Sequence, residues 1–549
     1  MGHTAHPGKR AAMVTVAQAA LASCRVARAA WASAARASFF GYAPCLKLDV
    51  IDHYFHLDFE RTRGLQEQLR EALVDAILHG AFPPDEPLPS CRDLSRQLSV
   101  ARNTVALVYE SLLEKGFLQS RPRSGYYLHP DYRELASGPQ GGAVSGAVSV
   151  EAHDPAAGTA RSPSWGARIR QPAGPRQGIL RPSNWRQFQY PFAYGQADPA
   201  LFPAAAWRRA ARETLQSKRH RDFWIGDAVD QDDPELITQL RTRVLPKRGI
   251  QAAPGEILVT QGSQNALYLL ARLLMGPGVR VGLENPGFRD AWNVFAMQNA
   301  DISLHAVDGH GLCLDEGLAD CDYVYITPSH QVPTGVTLSA ERRTQLWQQA
   351  HLRDQVLIED DYDADLDLSS HPPPALKAAD RHGRVIYLSS FSKSLGPGLR
   401  LGYLVADEEL VRELRALRRL MLRHAPLPAQ RLLARFLAEG DYDAHLRRYR
   451  AAHARKHDAL RHAIEQHLDG CACAGGSGAS AFWLQAPEAV SAQKLAWAAS
   501  RRSVLIEPGA PHFFDNHPPD RHFRLGFSAI SAERIAPGIE LLADVMARV

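Results

Sequence analysis

The sequence predicts two folded regions of different class: a small helical module that ends in a β-hairpin, and a larger α/β domain with a mostly parallel sheet. Three segments with apolar residues at helical spacing, followed by two short β-prone runs, indicate the first region. Apolar, β-branched runs that alternate with helical stretches indicate the second. A stretch rich in Gly, Pro, Ser and Ala separates them. We therefore expect a helical module over 60–130, a linker over 131–184 and an α/β domain over 185–549.

Composition limits the class of protein. The 549 residues are 45% hydrophobic and 22% charged, enough for sizeable buried cores, and the formal net charge of +4 only weakly favours an anionic partner. No apolar run reaches the ~18 residues that a membrane span needs. The seven cysteines are dispersed and lack zinc-ligand spacing, which suits a reducing cytoplasm and predicts no metal site. Residues 1–48 hold no acidic residue, and we expect a poorly ordered extension there.

The helical module has the order of a DNA reader. LQEQLREALVDAIL predicts a first helix, LPSCRDLSRQLSV a second, and ARNTVALVYESLLEKG a third. FLQSRPRSGYYLHP then predicts a hairpin wing. In this order the third helix enters the major groove of DNA. Residues 87–128 hold six basic and three acidic residues, an excess that suits a phosphate backbone. A solvated helical face and a protein-docking winged helix remain alternatives.

Three motifs of the module resemble the winged helix-turn-helix domain of the GntR family. They are LPSCRDL, ARNTV and RSGYYL. The departures from the family are Cys91 and Ala101, where serine is usual, and Ser99, where glycine is usual; losing a hydroxyl at Ala101 could remove one hydrogen bond to phosphate. The resemblance implies a double-stranded DNA operator as partner. The implied DNA-binding residues are Arg92, Arg102, Asn103, Thr104, Arg121, Arg123 and Gly125.

In the α/β domain the stretch SSFSKSLGPGLRLGY carries the sharpest signal. Lys393 lies among small hydroxyl residues after an apolar run, and Arg400 follows seven positions later between two glycines. A lysine held against a flat anionic ligand is the pattern of a Schiff-base nucleophile. A lone lysine at a helix start would more often be a surface residue. SFSKS followed by PGLRLGY is a more specific pattern than a lone lysine.

Other polar residues follow other predicted strands, where ligands of parallel sheets bind. After EILVT, a Gly-Ser-Gln turn opens a helix and predicts a phosphate cradle, to which Arg400 adds a two-pronged donor. After VLIE, acidic residues and a tyrosine could hold a ring nitrogen and a ring hydroxyl, although loop solvation explains such residues equally well. ENPGF offers an aromatic to stack on a ring, and FRLGF offers an arginine for a carboxylate.

Taken together, these motifs resemble a class I aminotransferase of fold type I, which binds pyridoxal 5'-phosphate (PLP). The resemblance implies Lys393 as the catalytic, Schiff-base lysine, Arg524 as the arginine for the carboxylate of a substrate or effector, and His330 as a second effector contact. Val332 stands where aminotransferases usually carry asparagine, and His330 or Gln331 could compensate for it. The implied cofactor-binding residues are Lys393, Gly262, Ser263, Gln264, Phe288 as the stacking aromatic, Asp360 as the pyridinium partner, Tyr362 as the ring-hydroxyl donor, and Arg400.

A GntR-type winged helix followed by an aminotransferase-like domain is similar to the MocR family of PLP-dependent transcription regulators. RTRVLPKRGI and YPFAYGQADPALFP are most similar to its branch of taurine and ectoine utilisation regulators. The resemblance implies a cytoplasmic homodimer that binds an operator and senses a small amine or amino acid through PLP on Lys393. The alternative is a catalytically active aminotransferase with an accessory DNA-binding domain. The sequence does not name the effector or the operator.

Overall fold

A computed structural model describes residues 64–78, 82–83, 85–122, 124–132, 165–169, 178, 182–369, 371–474 and 480–549. The expected extension over 1–48 and most of the expected linker lie outside these residues. The chain divides into two compact units, Met1–Ser162 and Pro163–Val549. Among the described residues, no helix combines the length and the apolar character that crossing a membrane requires.

The first unit contains three helices and a two-stranded hairpin. Every helix places leucine, isoleucine or valine side chains in one shared core, which includes Leu69, Leu73, Leu94, Val105 and Leu112. This shared core is what the helical spacing of the apolar residues predicts. The elements are α1 Leu65–Leu78, α2 Cys91–Gln97, α3 Arg102–Glu114, β1 Leu118–Arg121 and β2 Gly125–Leu128.

The hairpin is joined to the helices by backbone hydrogen bonds. β1 and β2 pair antiparallel, from Leu118 opposite Leu128 to Arg121 opposite Gly125. The Leu88 amide, just before α2, donates to the carbonyl of Tyr126 at 2.7 Å. The wing therefore has a fixed position beside α2 within this unit.

The second unit is built on an eight-stranded sheet with the order β4-β11-β10-β9-β8-β5-β6-β7. The pairs from β10 through β9, β8 and β5 to β6 are parallel, while β11 and β7 pair antiparallel with their neighbours. The mostly parallel sheet predicted from the alternating pattern is thus confirmed. The strands are β3 Tyr190–Pro191, β4 Ile257–Thr260, β5 Arg280–Asn285, β6 Asp301–Asp308, β7 Gly311–Leu312, β8 Tyr323–Ile326, β9 Val356–Asp360, β10 Val385–Ser390 and β11 Gly402–Val405.

A smaller antiparallel sheet follows, with the order β12-β13-β16-β15, and β14 pairs with β3. Its core is separate from that of the large sheet and includes Phe192, Leu484 and Phe523. The strands are β12 Ala472–Ala474, β13 Ala481–Gln485, β14 Val504–Leu505, β15 Glu507–Pro508 and β16 His522–Gly526.

Helices cover both faces of the large sheet because the central strands are apolar on both sides. Leu258 and Leu388 pack with α8, α9 and α12, whereas Val259 and Tyr387 pack on the opposite side with α13 and α14. The α-helices of this unit are α4 Trp165–Arg168, α5 Ala204–Gln216, α6 Lys218–Ile225, α7 Pro234–Gln239, α8 Ser263–Leu274, α9 Arg289–Ala296, α10 Glu316–Ala319, α11 Ala340–Leu352, α12 Glu408–Leu422, α13 Leu427–Ala438, α14 Asp441–His467, α15 Ala492–Ser500 and α16 Ala532–Met546.

Short helical segments of other types complete the unit. The 3-10 segments are Trp185–Gln187, Pro199–Leu201, Leu245–Arg248, Pro254–Glu256, Ala364–Leu366, Leu376–Ala379, Pro397–Leu399 and Ala510–His512, and Leu240–Val244 is a π-helix.

The carboxyl ends of the parallel strands meet at one edge of the large sheet. β4, β5, β8, β9 and β10 run in the same direction and end there, at Thr260, Asn285, Ile326, Asp360 and Ser390. Ligands of open α/β sheets bind at this edge. The fold therefore brings the polar residues that follow these strands to one place.

Candidate functional site

A cavity of about 380 Å³ opens at this edge. It is lined by most of the residues selected from the sequence for the cofactor and the effector, while Gly262 and His330 do not line it. The selected residues that line it are Ser263, Gln264, Phe288, Asp360, Tyr362, Lys393, Arg400 and Arg524. The residues that line it but were not selected are Tyr194, Gly195, Gln196, Asp290, Tyr325, Ser390, Ser392 and Pro397, together with Val332.

Lys393 enters the cavity from the loop after β10. Its Nζ lies 4.0 Å from the centroid of the Tyr194 ring and 5.5 Å from that of Tyr362. Both contacts have cation–π geometry, which holds the amine among aromatic surfaces rather than in bulk water. The lysine is therefore positioned as a nucleophile inside the cavity.

One end of the cavity is an anion cradle made by the start of α8 and by Arg400. Gly262 precedes the helix with φ +83°, and a Cβ there would lie 3.1 Å from Arg400 Nη2. Only glycine combines this left-handed backbone with so close an approach. Arg400 Nη2 donates to the Gln261 carbonyl at 2.7 Å, which fixes the guanidinium beside the helix N-terminus. Helix N–H groups and an arginine together suit a phosphate.

Asp360, the last residue of β9, is buried at the base of the cavity. Tyr325 Oη donates to its Oδ2 at 2.9 Å. Its Oδ1 is buried and has no hydrogen-bond partner among the residues that the structure describes. Burial raises the pKa of Asp360 to about 7. A buried carboxylate oxygen with an unused acceptor site suits a cationic N–H donor, such as a protonated ring nitrogen.

Tyr362 and His330 are adjacent, but only Tyr362 reaches the cavity. Tyr362 Oη donates to the backbone carbonyl of His330 at 3.0 Å. The His330 ring is 2% exposed, lies 2.8 Å from Asp363 Oδ1, and has Asp367 on its other side. Burial lowers the pKa of His330, but the charges of Asp363 and Asp367 outweigh it and raise the pKa above its usual value. The structure thus gives His330 a buried ion-pair role instead of the predicted effector contact.

Gln331 does not replace the missing asparagine either. Its Nε2 donates to the carbonyls of Pro286 and Val332, and its Oε1 accepts from the Thr334 hydroxyl. Both ends of the amide are therefore held, by partners in its own loop and by Pro286 after β5. Val332 itself lines the cavity and offers an apolar side chain where an amide donor would stand.

Another part of the cavity wall holds Arg524 in a buried charge network. Its guanidinium carbon lies 3.7 Å from the Tyr194 ring centroid, and its Nη2 lies 2.5 Å from Glu507 Oε1. Glu507 stands opposite Arg524 in the pairing of β15 with β16, and His512 Nε2 is 3.1 Å from its Oε1. Burial raises the pKa of Glu507, but Arg524 and His512 lower it to about 2. Arg524 Nε is buried without a hydrogen-bond partner in the described part of the chain.

In the first unit the predicted DNA contacts lie on the surface. Arg92, Arg102 and Asn103 are exposed, Thr104 is half-buried, and Arg123 lies outside the described residues. Arg121 is exposed on the wing.

The wing is held by contacts of its own side chains. The guanidinium of Arg121 lies 4.2 Å from the Tyr127 ring centroid, and Ser124 Oγ is 2.6 Å from Tyr127 Oη. Gly125 takes φ +109°, a backbone conformation that favours glycine. The turn thus depends on the glycine, and Tyr127 limits the freedom of Arg121.

The departures from the usual motif have local consequences. Ser99 takes φ +52°, in the left-handed region, which explains why glycine is usual there. Ser90 Oγ accepts from the Asp93 amide at 3.2 Å and caps α2. Ala101, at the corresponding position before α3, has no side-chain oxygen with which to cap. The start of α3 is therefore less well capped than that of α2.

No group of three or more His, Cys, Asp or Glu side chains within the described residues could hold a metal ion.

Two family models match the chain. Bacterial regulatory proteins of the gntR family match residues 65–128, and aminotransferase class I and II matches residues 192–542. The HTH-type transcriptional regulator TauR of Rhodobacter capsulatus is 40% identical over 88% of this chain and 96% of its own length. The probable rhizopine catabolism regulatory protein MocR of Rhizobium meliloti is 30% identical over 88% of this chain and 94% of its own.

Solved aminotransferases resemble the second unit. LysN, the α-aminoadipate aminotransferase of Thermus thermophilus, has a TM-score of 0.63 and 29% identity, covering 70% of this chain and 98% of that one. Pyrococcus horikoshii kynurenine aminotransferase has a TM-score of 0.62 and 26% identity, covering 67% of this chain and 95% of that one. The α/β fold predicted from the sequence is that of this group.

Proposed function

We propose a mode of action for this chain from the premise that it belongs to the MocR family, in which a GntR-type winged helix precedes an aminotransferase class I and II domain. The chain is a DNA-binding transcription regulator. The aminotransferase family is in general PLP-dependent. Our proposal is that this chain binds PLP through Lys393 and senses a primary amine or amino acid with it, as a cytoplasmic homodimer.

The observation that carries the proposal is the unused acceptor of Asp360. A buried carboxylate oxygen without a partner is costly unless a ligand uses it. A pyridinium N–H would use it and would also keep the carboxylate ionised, lowering a pKa that burial raises to about 7. The anion cradle at Gly262 and Arg400 supports the same ligand, since it suits the phosphate.

When bound, PLP supplies a carbonyl carbon that condenses with primary amines and a ring that withdraws electrons. The chain's own residues bind and orient it. Arg400 and the start of α8 would hold the phosphate, Asp360 would accept from the ring nitrogen, and Phe288 would offer a stacking face. Lys393 holds its amine near the rings of Tyr194 and Tyr362, where it would be available to the carbonyl carbon of a bound cofactor.

The effector end of the cavity is nearly neutral because Glu507 pairs with Arg524. An anionic group of an effector would use the Nε donor, which has no partner in the described residues, and the remaining N–H groups of the guanidinium. The anionic group of the effector would then lie near the negative charge of Glu507. Because that charge repels a dianion more strongly, we expect singly charged anions to bind better than dianions. We therefore expect amines with one negative group to be the preferred effectors.

Regulation requires the effector to bind two arrangements of the chain with different affinity, because equal affinity shifts no equilibrium. Arg524 lies on a strand of the small sheet, whereas Asp360 ends a strand of the large sheet and Lys393 lies in the loop after another of its strands. An effector that contacts both sheets gains contacts that depend on their relative position. The difference in effector-binding free energy between the two arrangements is the coupling free energy that would change the affinity for DNA.

A catalytically active aminotransferase with an accessory DNA-binding domain is the second candidate. Lys393, once exchanged from the cofactor, could move a proton as a general base. The cavity nevertheless has Val332 where an amide donor would support such chemistry, and Gln331 is held away from it. This observation favours sensing over turnover.

The test combines three measurements on one preparation of the full chain. Absorbance with borohydride trapping and peptide mapping reports PLP on Lys393. Anisotropy with a DNA duplex selected from a random library reports binding, with and without a panel of primary amines and amino acids. Keto-acid formation reports turnover.

We expect borohydride to trap PLP on Lys393, at least one amine to change both the absorbance and the DNA affinity, and little turnover. Lys393→Ala should abolish the trapping and the response to amines but not DNA binding. Rapid turnover without any effect of amines on DNA affinity would establish the second candidate instead.

A further inference from the structure

The helix that enters the groove exposes one large apolar side chain. Leu107 is 50% exposed, although Val105 and Val108 on either side of it are buried in the core of the unit. It is the most exposed large apolar residue among the described residues of this unit. Folding does not need this leucine, since the core of α3 is made by the buried positions. Single exposed leucines are common on protein surfaces, but this one lies on the helix that is expected to enter the major groove, where it would face base edges.

The position of Leu107 on α3 defines what it can reach. Asn103 and Leu107 are four residues apart and so share one side of the helix, followed one turn later by Glu110; all three are exposed. The N-terminal part of the recognition helix is the part that contacts base edges. Four residues rise about 6 Å along a helix, which is a little under two base-pair steps of ~3.4 Å.

We propose that Leu107 reads the 5-methyl group of a thymine in the major groove, within two base pairs of an adenine read by Asn103. Asparagine fits the N6 and N7 edge of adenine, and an apolar side chain fits the thymine methyl. Leucine cannot donate or accept a hydrogen bond, so apolar contact is the interaction it can add. The inference rests on the docking of α3 in DNA and adds to it one thymine in the operator.

The apolar side chain of Leu107 gives the contact its selectivity. Asn103 and Glu110 flank Leu107 with hydrogen-bonding groups, and the carboxylate of Glu110 is an acceptor only. A base opposite Leu107 loses the water molecules that hydrogen-bond to its major-groove edge. If that edge presents only donors or acceptors, the leucine replaces none of these hydrogen bonds. Thymine is the base whose edge ends in a methyl group, so it loses least there.

The experiment removes that methyl group alone. The full-length chain selects duplexes from a random library, and the enriched sequence is resynthesised with each thymine replaced in turn by deoxyuridine. For the unaltered chain we expect one replacement to lower affinity about 4-fold, the factor that corresponds to roughly one buried methylene. Leu107→Ala should bind the thymine and deoxyuridine duplexes equally, and Leu107→Met should retain the difference. Asn103→Ala should lose its preference for an adenine no more than two base pairs away.

Leu78→Ala is the matched control, because Leu78 is 44% exposed but lies at the end of α1. It should respond to deoxyuridine as the unaltered chain does. If no single replacement matters, or if Leu107→Ala remains as sensitive as the unaltered chain, the thymine assignment is overturned while DNA binding stands. If the unaltered chain enriches no duplex at all, the docking of α3 fails and the inference fails with it.

Discussion

The polar side chains of the two candidate sites differ in burial: most of those of the cavity are buried or half-buried, and most of those of the winged helix are exposed. In the cavity the reactive groups are buried and bound to one another, as in the pairs of Asp360 with Tyr325 and of Arg524 with Glu507. On the winged helix the candidate contacts, such as Arg102, are exposed. A buried group is stabilised by its neighbours, so changing it alters stability and ligand binding together. An exposed group can be changed with little effect on the fold.

The largest effect should therefore come from the cavity. Asp360→Asn removes the charge that faces the proposed pyridinium, and losing one partner of a buried ion pair typically costs ~3–5 kcal/mol. We expect PLP affinity to fall by that order in a fluorescence titration. Tyr325→Phe removes only the hydroxyl that donates to Asp360 and should cost about 1 kcal/mol. Equal PLP affinity in Asp360→Asn and the unaltered chain would remove Asp360 from the cofactor site.

The same carboxylate should make the PLP-free chain sensitive to pH. The folded pKa of Asp360 is raised to about 7, above the ~3.9 of an unfolded chain. Between these two pH values Asp360 stays protonated in the folded state but is ionised in the unfolded state. Its contribution to the free energy of unfolding is therefore fully present below about pH 4 and is lost as the pH rises toward 7. At about 1.4 kcal/mol per pKa unit the loss amounts to a few kcal/mol.

Urea unfolding of the PLP-free chain at pH 5 and pH 8 measures this loss. The pKa values of Glu284 and Glu359 are also raised to about 7, chiefly by burial, and act in the same direction. The relevant quantity is therefore the difference between the unaltered chain and Asp360→Asn. We expect Asp360→Asn to gain stability relative to the unaltered chain as the pH rises. A difference that is constant from pH 5 to pH 8 would show that Asp360 has an ordinary pKa.

The winged helix should give smaller and cleaner effects. Arg102→Ala should lower affinity for the selected duplex by ~1–3 kcal/mol and leave PLP binding and unfolding unchanged. Arg121→Ala should lower the slope of log affinity against log salt by about 1, as expected for a phosphate contact. Arg96→Ala is the control, since Arg96 is exposed on α2 and is not a predicted contact. If Arg96→Ala weakens binding as much as Arg102→Ala, the effect is one of general charge.

Sequence predicted the parts of the cavity that follow strands of the large sheet. Lys393 and Asp360 could be found because each lies within a few residues of the end of an apolar run, and such runs end at the ligand-binding edge. Tyr194 and Glu507 could not be found in this way. Tyr194 follows a strand of only two residues, and Glu507 faces Arg524 through the register of two antiparallel strands. Neither signal is periodic, so only tertiary structure brings these residues into position.

His330 illustrates the opposite error. Its neighbour Val332 lines the cavity, and closeness in sequence suggested that His330 would face it as well. The loop instead directs the ring toward Asp363, because a buried imidazole needs a partner and the carboxylate supplies one. Proximity along a loop is a poor guide to direction, since alternation holds only along a regular strand.

The N-cap of α3 is a position at which a single substitution should increase DNA affinity. In α2 the Asp93 amide donates to both the carbonyl and the hydroxyl of Ser90, whereas in α3 the Thr104 amide has only the Ala101 carbonyl, at 2.9 Å. Ala101→Ser supplies the missing acceptor, and its O–H can still donate to a phosphate. A serine cap is worth ~0.5–2 kcal/mol to a helix, and a hydrogen bond contributes ~0.5–1.5 kcal/mol net. We therefore expect a gain of about 1 kcal/mol in DNA affinity.

Ala101→Gly separates the two contributions to that gain. Glycine is also much preferred to alanine at a helix N-cap, but it has no hydroxyl to offer a phosphate. If the gain comes from capping, serine and glycine should raise the stability of the winged helix and the DNA affinity alike. If it comes from the phosphate, only serine should tighten binding, and its advantage should shrink as salt is raised. A serine variant that binds the selected duplex no better than the alanine chain would mean that the start of α3 is already as well placed as a cap could make it, and the contrast with α2 would then have no functional consequence.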